Sequence, residues 1–382
     1  LKHKGAVFRN DGKSIYVNHI SPSCIACQKG IGSMTFFISL QCSRNCFYCF
    51  NPNQEDFSYY CNHKRNCIDE LDDLYRKGYV LKHIALTGGE PLLHKKDTVE
   101  FIKFAHTRYP KAHLRLYTCG DFIDVKLLEQ LKIAGLDEIR FSIKMEDRQE
   151  QQQKILDRIK LAVDYIPSVM VEMPVLPGTL DEMKDLLVKL DQINISGINL
   201  LEFCFPYTNA QKFKDRSYKL KHHPFRVLYD YWYAGGLPIS KSEIECLSLL
   251  EFTIDEKLQI GVHYCSLENK HTGQIYQQNL LKPKHDIAYF SPRDYFLKSI
   301  KVFGDDIPHV LNVFKKIDFH QYVINNDHAY LEFPVQQVKY LRELKLELGI
   351  STAIIEKRED GEFLRELKVD LSYPNVFDCD DL

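Results

Sequence analysis

A chain of 382 residues, 45% apolar and 27% charged, can bury a large core, and this balance excludes a disordered, collagen-like or coiled-coil polymer. Fifty basic against 52 acidic residues leave a formal charge of −2, so neither nucleic-acid backbone nor anionic membrane is an expected partner. No apolar run reaches the length of a membrane span and Leu1–Gly5 does not lead into an apolar signal segment, which predicts a cytosolic protein whose 12 cysteines serve metal or redox chemistry rather than disulfides.

An N-terminal extension, 1–33, carries Cys24-Ile-Ala-Cys27. Short β-branched or aromatic runs then alternate with amphipathic stretches of helix length. Strands are predicted at Thr35–Leu40, His83–Thr87, His113–Thr118, Glu138–Ile143, Val169–Met173 and Gly197–Glu202. Helices are predicted at Ile68–Lys77, Asp97–Arg108, Asp124–Ala134, Glu150–Tyr165 and Leu180–Ile193, from apolar residues at i, i+3, i+4 spacing. This β-α order predicts a parallel sheet wrapped by helices, with right-handed crossovers and a site at the C-terminal ends of the strands.

Beyond residue 205 the rhythm breaks into an aromatic and basic stretch, Pro206–Trp232, which contains Tyr207, Lys214, Arg216, His222 and His223. A further strand-like run follows at Ile260–Tyr264, closing an insertion of 206–285. The last part, 286–382, reads as a small α/β unit. Its predicted elements are a strand Ala329–Phe333, a helix Val335–Glu347, a strand Thr352–Lys357, a turn at Asp360-Gly361 and a strand Leu364–Leu371.

The chemistry-bearing feature is Cys42-Ser-Arg-Asn-Cys46-Phe-Tyr-Cys49, just past the first predicted strand of the repeating series. Three thiolates this close in one loop supply all but one ligand of an iron–sulfur cube, leaving an iron that a small molecule can bind. The competing reading is a zinc knuckle completed by Cys61, His63 or Cys67. Against it stands Thr87-Gly88-Gly89-Glu90-Pro91, one strand–helix unit later, where glycines after a buried strand permit close backbone approach to a ligand.

Over Met34 to Glu202 these motifs resemble the radical S-adenosylmethionine (radical SAM) enzymes, whose Cys-x3-Cys-x2-Cys loop is matched by Cys42, Cys46 and Cys49 and whose Gly-Gly-Glu-Pro motif is matched by Gly88, Gly89, Glu90 and Pro91. The resemblance implies a partial (β/α)6 TIM-like barrel, residues 34–205. It implies a [4Fe–4S] cluster on the three cysteines, S-adenosylmethionine chelated to the unique iron with its amino group held by Gly88–Glu90, and Tyr48 packed on the adenine. It also implies Ser142 as a polar contact to the ribose or carboxylate, an adenine-covering loop at Val175–Gly178, and a reducing partner such as flavodoxin or ferredoxin. Ser142 reads equally well as a barrel-lining serine bonded to backbone.

Cys24 and Cys27 together with a distant cysteine, in His263-Tyr-Cys265-Ser266, form a set of the kind that holds auxiliary clusters or zinc, the competing reading being a set of reduced structural thiols. With Gly30, Lys270 and Gln274 the pattern resembles a radical SAM branch related to the pyruvate formate-lyase activating enzyme. That likeness implies a second, auxiliary cluster on Cys24, Cys27 and Cys265, either with Cys204 or Cys246 as fourth ligand or with an open iron that can bind substrate directly. Cys119 and Cys204 end the third and sixth predicted strands, where a thiol can return a hydrogen atom to a substrate radical or simply fill the wall. Three functions are compatible with these features: modification of a peptide or protein, for which 206–232, the terminal unit and a sheet edge offer surface; action on a small metabolite; or a non-enzymatic iron–sulfur or zinc protein, which the Gly-Gly-Glu-Pro motif opposes.

Overall fold

A computed structural model describes residues 1–222, 236–280, 287–358 and 360–382. His223 and Trp232 of the basic segment, and Asp286, lie outside the described residues. The chain forms two compact units, one comprising 1–222 and 236–271, the other the described residues from Thr272 onward.

The first unit is built on β1 (Val7–Arg9), β2 (Ser14–Val17), β3 (Ser33–Phe37), β4 (His83–Thr87), β5 (His113–Thr118), β6 (Glu138–Phe141), β7 (Ser168–Val175), β8 (Gly197–Glu202) and β9 (Gly261–Cys265). These make one nine-stranded sheet in the order β1-β2-β9-β8-β7-β6-β5-β4-β3. Strands β3 to β9 are parallel throughout, so the six expected strands are joined by Gly261–Cys265 as a seventh. Strand β2 then runs antiparallel to β9, bringing the N-terminal extension against the end of the barrel sheet.

Helices follow the strands: α1 (Pro22–Cys27), α2 (Phe57–Asn62), α3 (Cys67–Arg76), α4 (Lys95–Arg108), α5 (Val125–Ala134), α6 (Gln149–Val163), α7 (Leu180–Ile193), α8 (Ala210–Asp215), α9 (Ser242–Asp255) and α10 (Leu267–Leu280). Local chemistry sets their limits. Helix α5 begins where Asp124 accepts from the Leu127 amide at 2.8 Å and ends at Gly135, whose φ of 90° is in the left-handed region.

Alternation along the strands separates two faces. Ile84, Leu86, Leu114, Leu116, Ile139, Phe141, Val171, Ile198, Leu200 and Val262 join one core with the residues of the outer helices. Their neighbours on the inner face are largely polar or charged: His83, Arg115, Tyr117, Glu138, Arg140, Glu172, Asn199 and His263. Short helix α1 and its cap lie on that inner face. Ser21 Oγ donates to Glu138 at 2.8 Å, Ser23 Oγ is 3.3 Å from His83 Nδ1, and Cys24 Sγ accepts from Arg140 and Asn199.

The second unit carries β10 (Tyr289–Phe290), β11 (Leu297–Phe303), α11 (Ile307–Lys316), β12 (Val323–Asn325), β13 (Tyr330–Phe333), β14 (Leu348–Arg358) and β15 (Gly361–Ser372). Its strands form an antiparallel sheet in the order β12-β13-β11-β14-β15 with β10 on β11. The expected helix at Val335–Glu347 is not formed; a 3-10 turn spans Val335–Tyr340 instead. Val335, Val338, Leu341 and Leu344 all pack on the core at intervals of three, which suits the tighter helix rather than a 3.6-residue repeat.

Candidate active site

Strand β3 ends at Phe37 and the chain peels away over the C-terminal edge of the sheet, turning where Ser39 Oγ accepts from the Gln41 amide at 2.9 Å. The loop after β4 lies against this turn: the Gly89 amide donates to the Ser39 carbonyl at 3.0 Å and the Glu90 amide to the Gln41 carbonyl at 2.8 Å. Such contact demands glycine. Gly88 has φ of +118°, and a Cβ on Gly89 would stand 1.9 Å from the Gln41 carbonyl oxygen. The close approach is therefore first to the chain's own cysteine loop. Asn51 Nδ2 fastens the other side by donating to the Gly88 carbonyl at 2.7 Å.

Glu90 is a staple between neighbouring strand ends. Its buried carboxylate accepts from the Leu92 amide at 2.9 Å, Thr118 Oγ1 at 2.8 Å and the Cys119 amide at 2.6 Å. Pro91 starts the short turn Pro91–His94 and is buried away from the cavity.

The cysteine loop is held over β5 and β6 by Arg44. Its Nε and Nη2 donate to Asp121 at 2.6 Å each and its Nη1 to Asp147 at 2.8 Å. Burial alone would raise the Asp121 carboxyl, but the Arg44 bonds hold it below the usual range. Cys119 Sγ donates to the same carboxylate at 3.3 Å. Sequence reasoning missed Arg44, Asp121 and Asp147; the signal available was a guanidinium inside the triplet and an aspartate two residues past the Cys119 strand end.

One cavity opens beneath this loop. It is lined by Cys42, Cys46, Cys49 and Tyr48 on one side, by Gly88, Gly89, Glu90, Ser142 and Lys144 beside them, and by Cys119, Glu172, Cys204 and Lys270 farther round. Tyr48 packs edge-on against Phe47 and Phe203, at 5.0 and 5.8 Å between ring centres. Phe213 and Tyr218 of the basic segment join this aromatic group, and Arg216 lies 4.1 Å over the Phe47 ring, so the described part of that segment packs on the cysteine loop. Burial pushes the Cys49 thiol up to about 11, while the charge of Lys144 favours its thiolate and that of Cys42.

The second cysteine group shares one region of the inner face. Burial pushes the Cys265 thiol up to about 12, with Cys27 and Cys24 adding to the rise and Lys270 opposing it. Burial likewise takes Cys204 to about 12. Cys246 sits instead in the helix-covered core on the other face, packed from α9, which leaves Cys204 as the cavity-side cysteine near this group.

Residues 37–190 match the Radical SAM superfamily. This stretch is a radical SAM domain. A Methanocaldococcus jannaschii protein named as a glycyl-radical enzyme activating enzyme is 33% identical over 192 residues, 47% of this chain and 50% of that protein. A Pyrococcus abyssi protein named as a GTP 3',8-cyclase is 30% identical over 204 residues, 50% of this chain and 63% of that protein. The chain thus spans about half to two thirds of the length of the curated relatives it matches. Among solved structures, Streptococcus suis SuiB bound to precursor peptide SuiA aligns at 12% identity over 66% of this chain and 53% of that one, with a TM-score of 0.45.

A radical SAM domain implies a [4Fe–4S] cluster and S-adenosylmethionine, and the donor chemistry here fits them. Three cysteines line the cavity, and the Gly88-Gly89 backbone, held against the segment that leads into their loop, lines it with them. Among the described residues no three His, Cys, Asp or Glu side chains converge on a single metal ion. A cube spreads its irons so that each thiolate meets its own, and convergence on one point is not required of such ligands.

Proposed function

We propose that the protein cleaves S-adenosylmethionine reductively at a [4Fe–4S] cluster held by Cys42, Cys46 and Cys49, and turns the radical on a peptide or protein substrate. The observation that carries this reading is the single cavity in which the cysteine triplet, the Gly88-Gly89-Glu90 loop and the thiols of Cys119 and Cys204 share one lining. When bound, the reduced cluster supplies the electron that breaks the sulfonium carbon–sulfur bond, giving methionine and a 5′-deoxyadenosyl radical.

The chain's own residues bind and orient. Asn51 and the Ser39–Gln41 backbone hold the glycine loop in register with the triplet, leaving Gly88 and Gly89 as the close wall for the methionyl end. Lys144 presents a cation and Ser142 a hydroxyl on the same side, and Tyr48 a ring for the adenine. Cys119 and Cys204 are the candidate hydrogen donors to a substrate radical, and Cys24, Cys27 and Cys265 the ligands of a second metal centre. The polypeptide substrate is favoured by the relative named for activating a glycyl-radical enzyme. The relatives named as GTP 3',8-cyclases favour a small metabolite as the second reading.

Anaerobic reconstitution, reduction with dithionite and chromatography for 5′-deoxyadenosine test the central reaction. Reconstituted wild type is expected to form it and the Cys42/Cys46/Cys49 triple alanine variant to form none. Equal product from both would remove the triplet from the reaction.

A further inference from the structure

Lys270 stands on the first turn of α10, just beyond β9, and its side chain lines the same cavity as the cysteine triplet and Cys204. Its ammonium donates no hydrogen bond to any described residue and forms no ion pair with one. The carboxylates among the cavity's lining residues are all engaged elsewhere. Glu90 is saturated by the Leu92, Thr118 and Cys119 donors. Glu172 is held by Arg140 Nη1 at 2.5 Å and Asn199 Nδ2 at 2.7 Å. Glu202 accepts from Lys221 Nζ at 3.3 Å and the Leu267 amide at 2.9 Å.

A cation facing a cavity whose fixed anions are already matched is a receptor for an anion brought from outside. It lies beside Cys204 rather than beside the triplet, where Lys144 is the neighbouring cation. Its remaining electrostatic neighbours are Cys265, Glu172 and Cys27.

Resting on the radical reading above, we propose that Lys270 selects a substrate bearing a carboxylate close to its reacting carbon, holding that carboxylate on the Cys204 side of the cavity. An aspartate or glutamate side chain, or a C-terminal carboxylate, of a peptide meets this requirement. Lys270 then fixes which carbon faces the radical, and Cys204 stands near the same carbon.

The test uses the full chain, anaerobically reconstituted, with S-adenosylmethionine and dithionite. The probes are short peptides carrying a central Asp or Glu, the same peptides carrying Asn or Gln, and free glutarate. Carboxylate probes are expected to stimulate 5′-deoxyadenosine formation in wild type, and Lys270→Met to raise their half-saturating concentration about tenfold or more, with Lys270→Arg keeping much of the response. Probe-free cleavage and iron content are expected to match in all three proteins. The proposal is overturned if amide and carboxylate peptides act alike, if Lys270→Met responds as wild type does, or if no carboxylate probe acts. It is overturned equally if Lys270→Met loses a cluster's worth of iron, since the lysine then serves the second metal centre. Glutarate acting where acidic peptides do not would remove the peptide reading and leave Lys270 in place; amide peptides acting as well as acidic ones would do the reverse. Absence of probe-free cleavage in wild type would remove the radical reading itself.

Discussion

Gly89 shows how one residue couples two loops. Its Cα faces the Gln41 carbonyl so closely that an added Cβ would stand 1.9 Å away, and the obstacle is backbone rather than a flexible side chain. Gly89→Ala is therefore expected to push the glycine loop off the cysteine loop, costing about 1–3 kcal/mol of stability. S-adenosylmethionine binding by the reconstituted protein, measured by equilibrium dialysis, is expected to fall with it. Unchanged binding together with an unchanged melting temperature would show that the loops separate without consequence. Arg44 works at the same scale. Replacing it with Met takes the guanidinium from Asp147 and leaves Asp121 with Arg158 at 3.7 Å, and faster iron loss to a chelator is the expected result, because the bonds that hold the cysteine loop over β5 and β6 are gone.

Among the elements, helix α1 and the inner strand face form one polar layer. Arg140 sits between Glu138 and Glu172, at 2.6 and 2.5 Å, and also donates to Cys24. A hydrogen-bond chain runs from Ser14 through His263 to Asn199, which donates onward to Glu172 and Cys24. Burial by itself would raise Glu138, yet the His113 imidazole, the Arg140 charge and the Ser21 hydroxyl bring its carboxyl down to about 2 from 4.5. A carboxyl depressed in the folded state contributes stability that is complete above about pH 4.5 and is lost as pH falls toward about 2, in total about 3 kcal/mol. Urea midpoints across that window are expected to fall more steeply for wild type than for Glu138→Gln. Parallel slopes would mean that the carboxyl is not held down.

For the whole molecule, the prediction concerns metal content. The seventh parallel strand carries Cys265 to the inner face, where Cys24, bonded to Arg140 and Asn199, and Cys27 are among its electrostatic neighbours. The second metal centre proposed there would be independent of the triplet. The Cys42/Cys46/Cys49 triple alanine variant is thus expected to retain about one cluster's worth of iron after reconstitution. Further replacement of Cys24, Cys27 and Cys265 is expected to leave none. Metal-free protein after the first change alone would dismiss the second centre.

By itself the sequence determined the β-α order, the position of all six expected strands and the cysteine and glycine motifs, because each is written in local periodicity or in adjacent residues. Gly261–Cys265 was visible as a strand-like run, but its place as a seventh barrel strand depends on pairing with β8 and β2 across long sequence separations. The 3-10 turn at 335–340 escaped a pattern reading because repeats of three and of 3.6 residues differ little over so few turns. Only tertiary structure decided that Glu90 staples β4 to β5, that Arg44 reaches Asp121 and Asp147, and that Cys246 faces the helix-covered core while Cys204 lines the cavity. Hydrogen bonds and cavity walls join residues that no local rule connects, and the facing of a helical cysteine depends on what its helix packs against.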